Sequence, residues 1–258
     1  MHKETLENSL EPMLEVNGLN KSFLLPDGSL LHAVDDVSFK VQKGSFLGLV
    51  GESGCGKSTI AKLLVGLLTK DSGEIIINGE KKEKFDKDYY KKIQMIFQMP
   101  QDSFNPRQRL KDCLVTVQTN FGIEKEVAKS RVEELLAMVR LPAEYANKYP
   151  VRMSGGECQR AAISRALAIE PDILICDEVT SALDVSVQAQ VVELLRKLQK
   201  EKDLTVVFIT HDLALAGGLC DSILVMDSGR IVERGSADTV LKAPKENYTK
   251  RLLDAVLM

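Results

Sequence analysis

The stretch that decides the fold is FLGLV (46–50), GESGCGKS (51–58) and TIAKLLVGLL (59–68). The apolar run Phe46 to Val50 predicts a buried strand, the glycine-rich segment a tight turn, and the run from Ser58 to Leu68 a helix. Gly51 to Ser58 fits GxxxxGK[ST] in the context that the chemistry needs, after an apolar strand and at the start of a helix. Gly51, Gly54 and Gly56 let the backbone of the loop, with Glu52, Ser53 and Cys55, turn its amides inward around phosphate oxygens. Lys57 supplies a point charge to the β and γ groups, the Ser58 hydroxyl can ligate Mg²⁺, and Thr59 follows at the positive end of the helix. A glycine-rich turn without a ligand is the alternative. The bare pattern arises by chance in roughly one chain of this size in a hundred, and the flanks make it rarer still.

Upstream, Met13 to Val41 alternates apolar and polar residues around the turn signal Pro26-Asp27-Gly28, which predicts a small antiparallel β lobe. Downstream, Glu74 to Asn78 returns to strand character. Residues 81–92 hold six lysines against three acids, with Tyr89 and Tyr90 near the end; a mixed charge run of this kind predicts a solvated loop. From about Gln98 to Leu167 the pattern is mostly helical, including Arg131 to Val139, with loops at Asn105-Pro106 and Leu141-Pro142. Strands resume at Asp172 to Cys176, Thr205 to Thr210 and Ser222 to Met226, with a helix from Val185 to Lys200. Asp227-Ser228-Gly229 then turns the chain into Arg230 to Glu233. Strand and helix alternating in this way predict an α/β fold with a parallel sheet. No repeat appears, so one domain spans 1–258. Its β lobe and α/β core cover about 13–97 and 168–235, a helical subdomain about 98–167, and a helical tail about 236–258.

At 258 residues and 44% hydrophobic content, the chain holds one sizeable core. Apolar runs such as Leu63 to Leu68 fall far short of the roughly 18 residues that cross a bilayer. The polar, acidic start MHKETLENSLEP carries no secretory pattern, which places the chain in the cytoplasm. Five scattered cysteines fit free thiols in a reducing compartment and indicate neither a zinc site nor a disulfide framework. The net charge of −3 argues against a nucleic-acid partner.

Ile173-Leu174-Ile175-Cys176-Asp177-Glu178 is an apolar strand ending in two acids. Carboxylates along a buried strand are costly, so acids at its carboxyl end belong at the crevice where α/β folds bind ligands. Asp177 is placed to hold Mg²⁺, and Glu178 is the candidate general base for an attacking water. His211 follows the strand Val206 to Thr210 in the same way.

Met153-Ser154-Gly155-Gly156-Glu157-Cys158-Gln159-Arg160 opens the helical run Ala161 to Ile169. Ser154 and Glu157 have the spacing of a capping box, and the helix start presents amides to any nearby anion. Here the sequence resembles the ATP-binding-cassette superfamily, whose signature reads LSGGQ, and the resemblance covers nearly the whole chain. It implies a phosphate-loop ATPase fold with a RecA-like parallel-sheet core, an antiparallel β lobe and a helical subdomain. It also implies ATP and Mg²⁺ as ligands. Phe97-Gln98 matches the glutamine loop, with Gln98 sensing the γ-phosphate and Mg²⁺. Ser181-Ala182-Leu183-Asp184 matches the D-loop, His211 the switch histidine, and Phe23 the aromatic that stacks on adenine. Ser154, Gly155, Gly156, Glu157 and Asp184 then act on ATP held by a second subunit.

DSFNPR (102–107), SALDVSVQAQ (181–190), Asn247-Tyr248-Thr249-Lys250 and GESGCGKSTIAKLLVGL are similar to the peptide and nickel importer branch, and most to the second of its two paired ATPases. That resemblance implies a related but different partner ATPase, or a second copy of the chain in isolation. Two integral-membrane permeases on the inner face of the membrane and, indirectly, an extracytoplasmic solute-binding protein complete the expected assembly. The chain stops nine residues after Thr249, which tilts the expected solute slightly from peptides towards nickel or a metal chelate. Glu157, where the signature usually has Gln, and Val179, where Pro usually follows the glutamate, depart from the pattern. A cytoplasmic cassette that remodels DNA or ribosomes is the alternative, but the long insertions or tandem cassettes of such proteins are missing. An unrelated phosphate-loop kinase would have no use for the signature.

Overall fold

The computed structural model describes residues 11–257. Along the chain lie β1 (Leu14–Leu24), β2 (Leu30–Val41), β3 (Phe46–Val50), α1 (Lys57–Leu64), β4 (Ser72–Ile77), β5 (Glu80–Lys81), α2 (Lys87–Lys92) and β6 (Ile93–Ile96). Then come α3 (Leu110–Asn120), α4 (Lys125–Ser130), α5 (Val132–Met138), α6 (Gly155–Leu167), β7 (Ile173–Asp177), α7 (Val185–Lys202) and β8 (Thr205–Thr210). The chain closes with α8 (Leu213–Leu219), β9 (Ser222–Asp227), β10 (Arg230–Ser236), α9 (Ala237–Lys242) and α10 (Asn247–Leu257). It divides into two compact units, one reaching to Phe85 and resuming at His211, the other running from Asp86 to Thr210.

In the first unit, β2, β1, β4 and β5 pair in that order as an antiparallel sheet. Leu14, Val16 and Leu19 of β1 and Val34, Val37, Phe39 and Val41 of β2 are buried, the alternation of a sheet with one wet face. The turn between them closes with the Leu25 amide donating to the Ser29 carbonyl and the Asp27 carboxylate accepting from the Ser29 amide and hydroxyl. A second sheet sets β9 between parallel β3 and antiparallel β10. All five residues of β3 are buried, as a parallel strand covered on both faces requires. The helix expected to reach Leu68 ends as α1 at Leu64. Gly66 takes φ 68° with its Cα against the Phe85 ring, and the Leu67 amide turns back to the Lys62 carbonyl. That left-handed glycine terminates the helix before the apolar run does.

In the second unit, β7 lies between β6 and β8, all parallel, and β7 and β8 are buried at every position. Helix α6 packs on β6 and gathers α3, α5 and α7 around it. Helix α7 turns Val191, Leu194, Leu195 and Leu198 inward, the i, i+3, i+4 stripe of an amphipathic helix. The lysine-rich segment is not the simple solvated loop that its charge predicts. Asp86 caps α2 by accepting from the Tyr89 amide at 2.9 Å, and Tyr89 is buried edge-to-face with Tyr90. One buried aromatic and one cap outweigh the surrounding charges.

Candidate active site

The phosphate loop leaves β3 under tight steric control. A Cβ on Gly51 would overlap the Met226 carbonyl oxygen of β9, and one on Gly56, at φ 108°, the Ala33 carbonyl oxygen of β2. The loop is thus pressed onto the ends of two strands where only glycine fits. The Cys55 carbonyl accepts from the Gly229 amide at 3.0 Å, tying the loop to the β9–β10 turn. The Lys57 side chain is buried, and its ammonium donates to the Gly51 and Glu52 carbonyls at 2.8 Å each. Burial pushes the neighbouring Cys55 thiol up, against the pull of Lys57.

Helix α1 starts on Gly56 with no side-chain cap, as α3, α4 and α5 also start without one, whereas α2, α6, α7, α8 and α9 each start on an Asp or Ser that accepts from the helix. The first amides of a helix need an acceptor, and an anion can supply it. Beside the loop lies a cavity of about 310 Å³ lined by Leu31 to Ala33, Glu52 to Cys55, Asp227 to Gly229 and Tyr248. Phe23 stands one strand away from it, paired with Leu31, with the Lys21 ammonium 5.6 Å from its ring centroid.

In the second unit, Asp177 closes β7 and is 4% exposed. Glu178 follows at φ 47°, a left-handed backbone uncommon outside glycine. Its amide donates to the Ile209 carbonyl at 3.0 Å, and its own carbonyl accepts from the Ser181 amide and hydroxyl. The backbone is therefore held from both sides. Gln98 donates its side-chain amide to the Glu178 carboxylate at 3.1 Å, so two residues predicted separately are brought together. His211 follows β8 directly and is exposed.

The signature helix and the D-loop also converge in this unit. Gly155 lies against Leu183, and a Cβ on Gly156 would overlap Val187 of α7. Ser154 caps α6 and Asp184 caps α7, accepting from the Val187 amide at 2.9 Å and the Ser186 hydroxyl at 2.8 Å. Those hydrogen bonds, the Val187 amide first, hold the Asp184 carboxyl below its usual range.

A model of the family described as ABC transporter matches residues 34–181. The oligopeptide transport ATP-binding protein OppF of Bacillus subtilis is 46% identical over 258 residues, covering 95% of this chain and 83% of that protein. The chain belongs to the ABC transporter family. OppF of Haemophilus influenzae is 45% identical over 266 residues, 98% of this chain and 80% of that one. Among solved structures, the ATP-binding cassette MJ0796, a dimer in a post-hydrolysis state bound to ADP and Pi, aligns with a TM-score of 0.78 at 28% identity over 87% of this chain and 99% of its own. The expected ABC cassette fold is therefore the one observed, and the chain is an ABC ATPase.

Within this ABC cassette, both departures from the usual pattern have a structural reading. Glu157 uses both carboxylate oxygens inside its own chain, one accepting from the Ser154 amide at 2.9 Å and the other from the Tyr145 hydroxyl. The Tyr145 hydroxyl first, then the Ser154 amide, holds the Glu157 carboxyl below its usual range. A depressed pKa adds stability that is present above the unfolded value and lost as pH falls through the folded one. Glu157→Gln, whose amide oxygen can keep the cap contact, should therefore cost only about 0.3–0.5 kcal/mol at neutral pH, because the site is open to solvent and screened. The difference in melting temperature between wild type and variant should shrink as pH drops below the ordinary Glu range. Val179 is 1% exposed, so a buried apolar side chain directly follows Glu178.

Two contacts escape a local reading of the sequence: Tyr145 with Glu157, and Tyr248 with the Glu52 amide across 196 positions. The Asn247-Tyr248-Thr249-Lys250 motif was the one signal that could have marked the second.

Proposed function

We propose that this chain energises an importer of oligopeptides, binding and hydrolysing ATP on the cytoplasmic face of the membrane. The observation that carries the nucleotide half is a buried lysine at the start of α1 resting on two carbonyls of the glycine loop. An arriving triphosphate offers Lys57 anionic oxygens in place of neutral ones and meets the positive end of α1. Ser58, Gln98 and Asp177 are hard oxygen donors of the kind that suit Mg²⁺, which when bound neutralises charge on the β- and γ-phosphates. Glu178 takes the proton of the attacking water, Gln98 holds its carboxylate, and His211 steadies the γ-phosphate.

Ser154, Gly155, Gly156 and Asp184 act on the ATP of a second ATPase subunit. Glu157, turned onto its own cap and Tyr145, keeps its charge away from that ATP. The partner is a related ATPase of the same complex, and closure of the pair drives two integral-membrane permeases supplied from outside by a solute-binding protein. Among the described residues no helix is long and apolar enough to cross a membrane, so the permeases provide the path. Identities of 46% and 45% to proteins named for oligopeptide transport favour peptides over nickel or a metal chelate.

Phe23 stacks on adenine in this reading. Phe23→Ala should weaken ATP binding about 2- to 12-fold, the worth of a 0.5–1.5 kcal/mol aromatic contact; an unchanged dissociation constant removes the stack. For the transport half, a tagged chain expressed in its own cells should co-purify with a second ATPase and two permeases from detergent-solubilised membranes. Recovery with DNA or ribosomes and no permease would favour a non-transport cassette.

A further inference from the structure

We infer that Tyr248, in the first turn of α10, is a positioning residue for the phosphate loop, clamping the Gly51–Glu52 peptide while nucleotide enters and leaves. The inference rests on reading loop 51–58 as the ATP site. The peptide is gripped at both ends: its carbonyl, on Gly51, accepts from Lys57 at 2.8 Å, and its amide, on Glu52, donates to the Tyr248 hydroxyl at 3.0 Å. The two grips differ in permanence. Lys57 must release the carbonyl to reach a phosphate, whereas Tyr248 has no such duty. Once ATP draws the ammonium away, the tyrosine hydroxyl is the side-chain contact that keeps this peptide in its binding orientation.

The tyrosine is itself firmly seated. Glu233 of β10 accepts from the Lys245 amide at 2.8 Å and the Glu246 amide at 3.2 Å, just ahead of α10. Burial pushes the Glu233 carboxyl up, but hydrogen bonds that include these two amides outweigh it and keep the group below its usual range. Next to Tyr248, Thr249 is 0% exposed, and α10 packs on α8. The ring of Tyr248 lines the cavity beside the loop and carries the Arg251 guanidinium 5.8 Å from its centroid. A fixed helix therefore presents one hydroxyl to one loop amide, and preorganised donors and acceptors are what a phosphate site needs.

The test is equilibrium binding of Mg-ATP to the full chain, with the melting temperature measured without nucleotide, for wild type, Tyr248→Phe, Tyr248→Ala and Lys57→Ala. Tyr248→Phe keeps the ring, so its melting temperature should fall less than that of Tyr248→Ala while the dissociation constant rises about 3- to 10-fold, the worth of one neutral hydrogen bond. Tyr248→Ala should match or exceed that rise and also melt earlier. A wild-type dissociation constant for Tyr248→Phe overturns the inference, as does a weakening accompanied by a fall in melting temperature as large as that of Tyr248→Ala. Lys57→Ala separates the two levels. If it binds ATP as wild type does, the nucleotide-site reading itself fails; if it loses ATP while Tyr248→Phe is silent, only the clamp fails.

Discussion

Glu178→Gln should bind ATP as wild type does while turnover falls about 10²- to 10⁴-fold, the usual worth of a general base. The structure makes this a chemical test rather than a folding one. The Glu178 backbone is fixed by the Ile209 carbonyl on one side and by Ser181 on the other, and an amide of the same shape leaves both contacts in place. The Gln98 donor that now meets the carboxylate at 3.1 Å would meet an amide oxygen instead. What disappears is the basic oxygen that the proposed role assigns to taking the proton. Single-turnover hydrolysis beside equilibrium nucleotide binding checks both halves, and near-normal hydrolysis would remove Glu178 from the role.

Lys57→Ala should weaken ATP binding about 10- to 100-fold, as expected for losing charge-assisted hydrogen bonds worth about 1.5–3 kcal/mol. The same change should cost some stability without nucleotide, because the Gly51 and Glu52 carbonyls lose the donor that now lies 2.8 Å from each. A lysine serving only to satisfy those carbonyls would give the second effect without the first. Calorimetric ATP titration alongside thermal melting distinguishes them.

The local framework of the candidate site was legible in the sequence. A strand, a glycine turn and a helix do follow one another within 46–68, and the acids Asp177 and Glu178 do stand at the end of a buried strand. Helix α7, expected from Val185 to Lys200, runs to Lys202, since amphipathic spacing over many residues is a strong signal. Short elements were less visible. Tyr89 decides the fate of residues 81–92 by being buried, yet nothing in a lysine-rich run states which aromatic turns inward. The end of α1 depends on Gly66 meeting the Phe85 ring, a tertiary contact that overrides an apolar run. Glu157 and Tyr248 show the same limit. Their residue types suggest a cap and a motif, but whether Tyr145 reaches Glu157, 12 positions on, and Tyr248 reaches Glu52, 196 positions back, is set by tertiary packing.

The most direct test of the account is uptake of a labelled oligopeptide by proteoliposomes holding the complex purified on this chain, with its solute-binding protein on the receptor side and nucleotide on the cassette side. Peptide should accumulate with ATP, not with ADP, and the complex carrying Glu178→Gln should lose uptake along with hydrolysis. Uptake that proceeds without ATP, or at the same rate with Glu178→Gln, would contradict it.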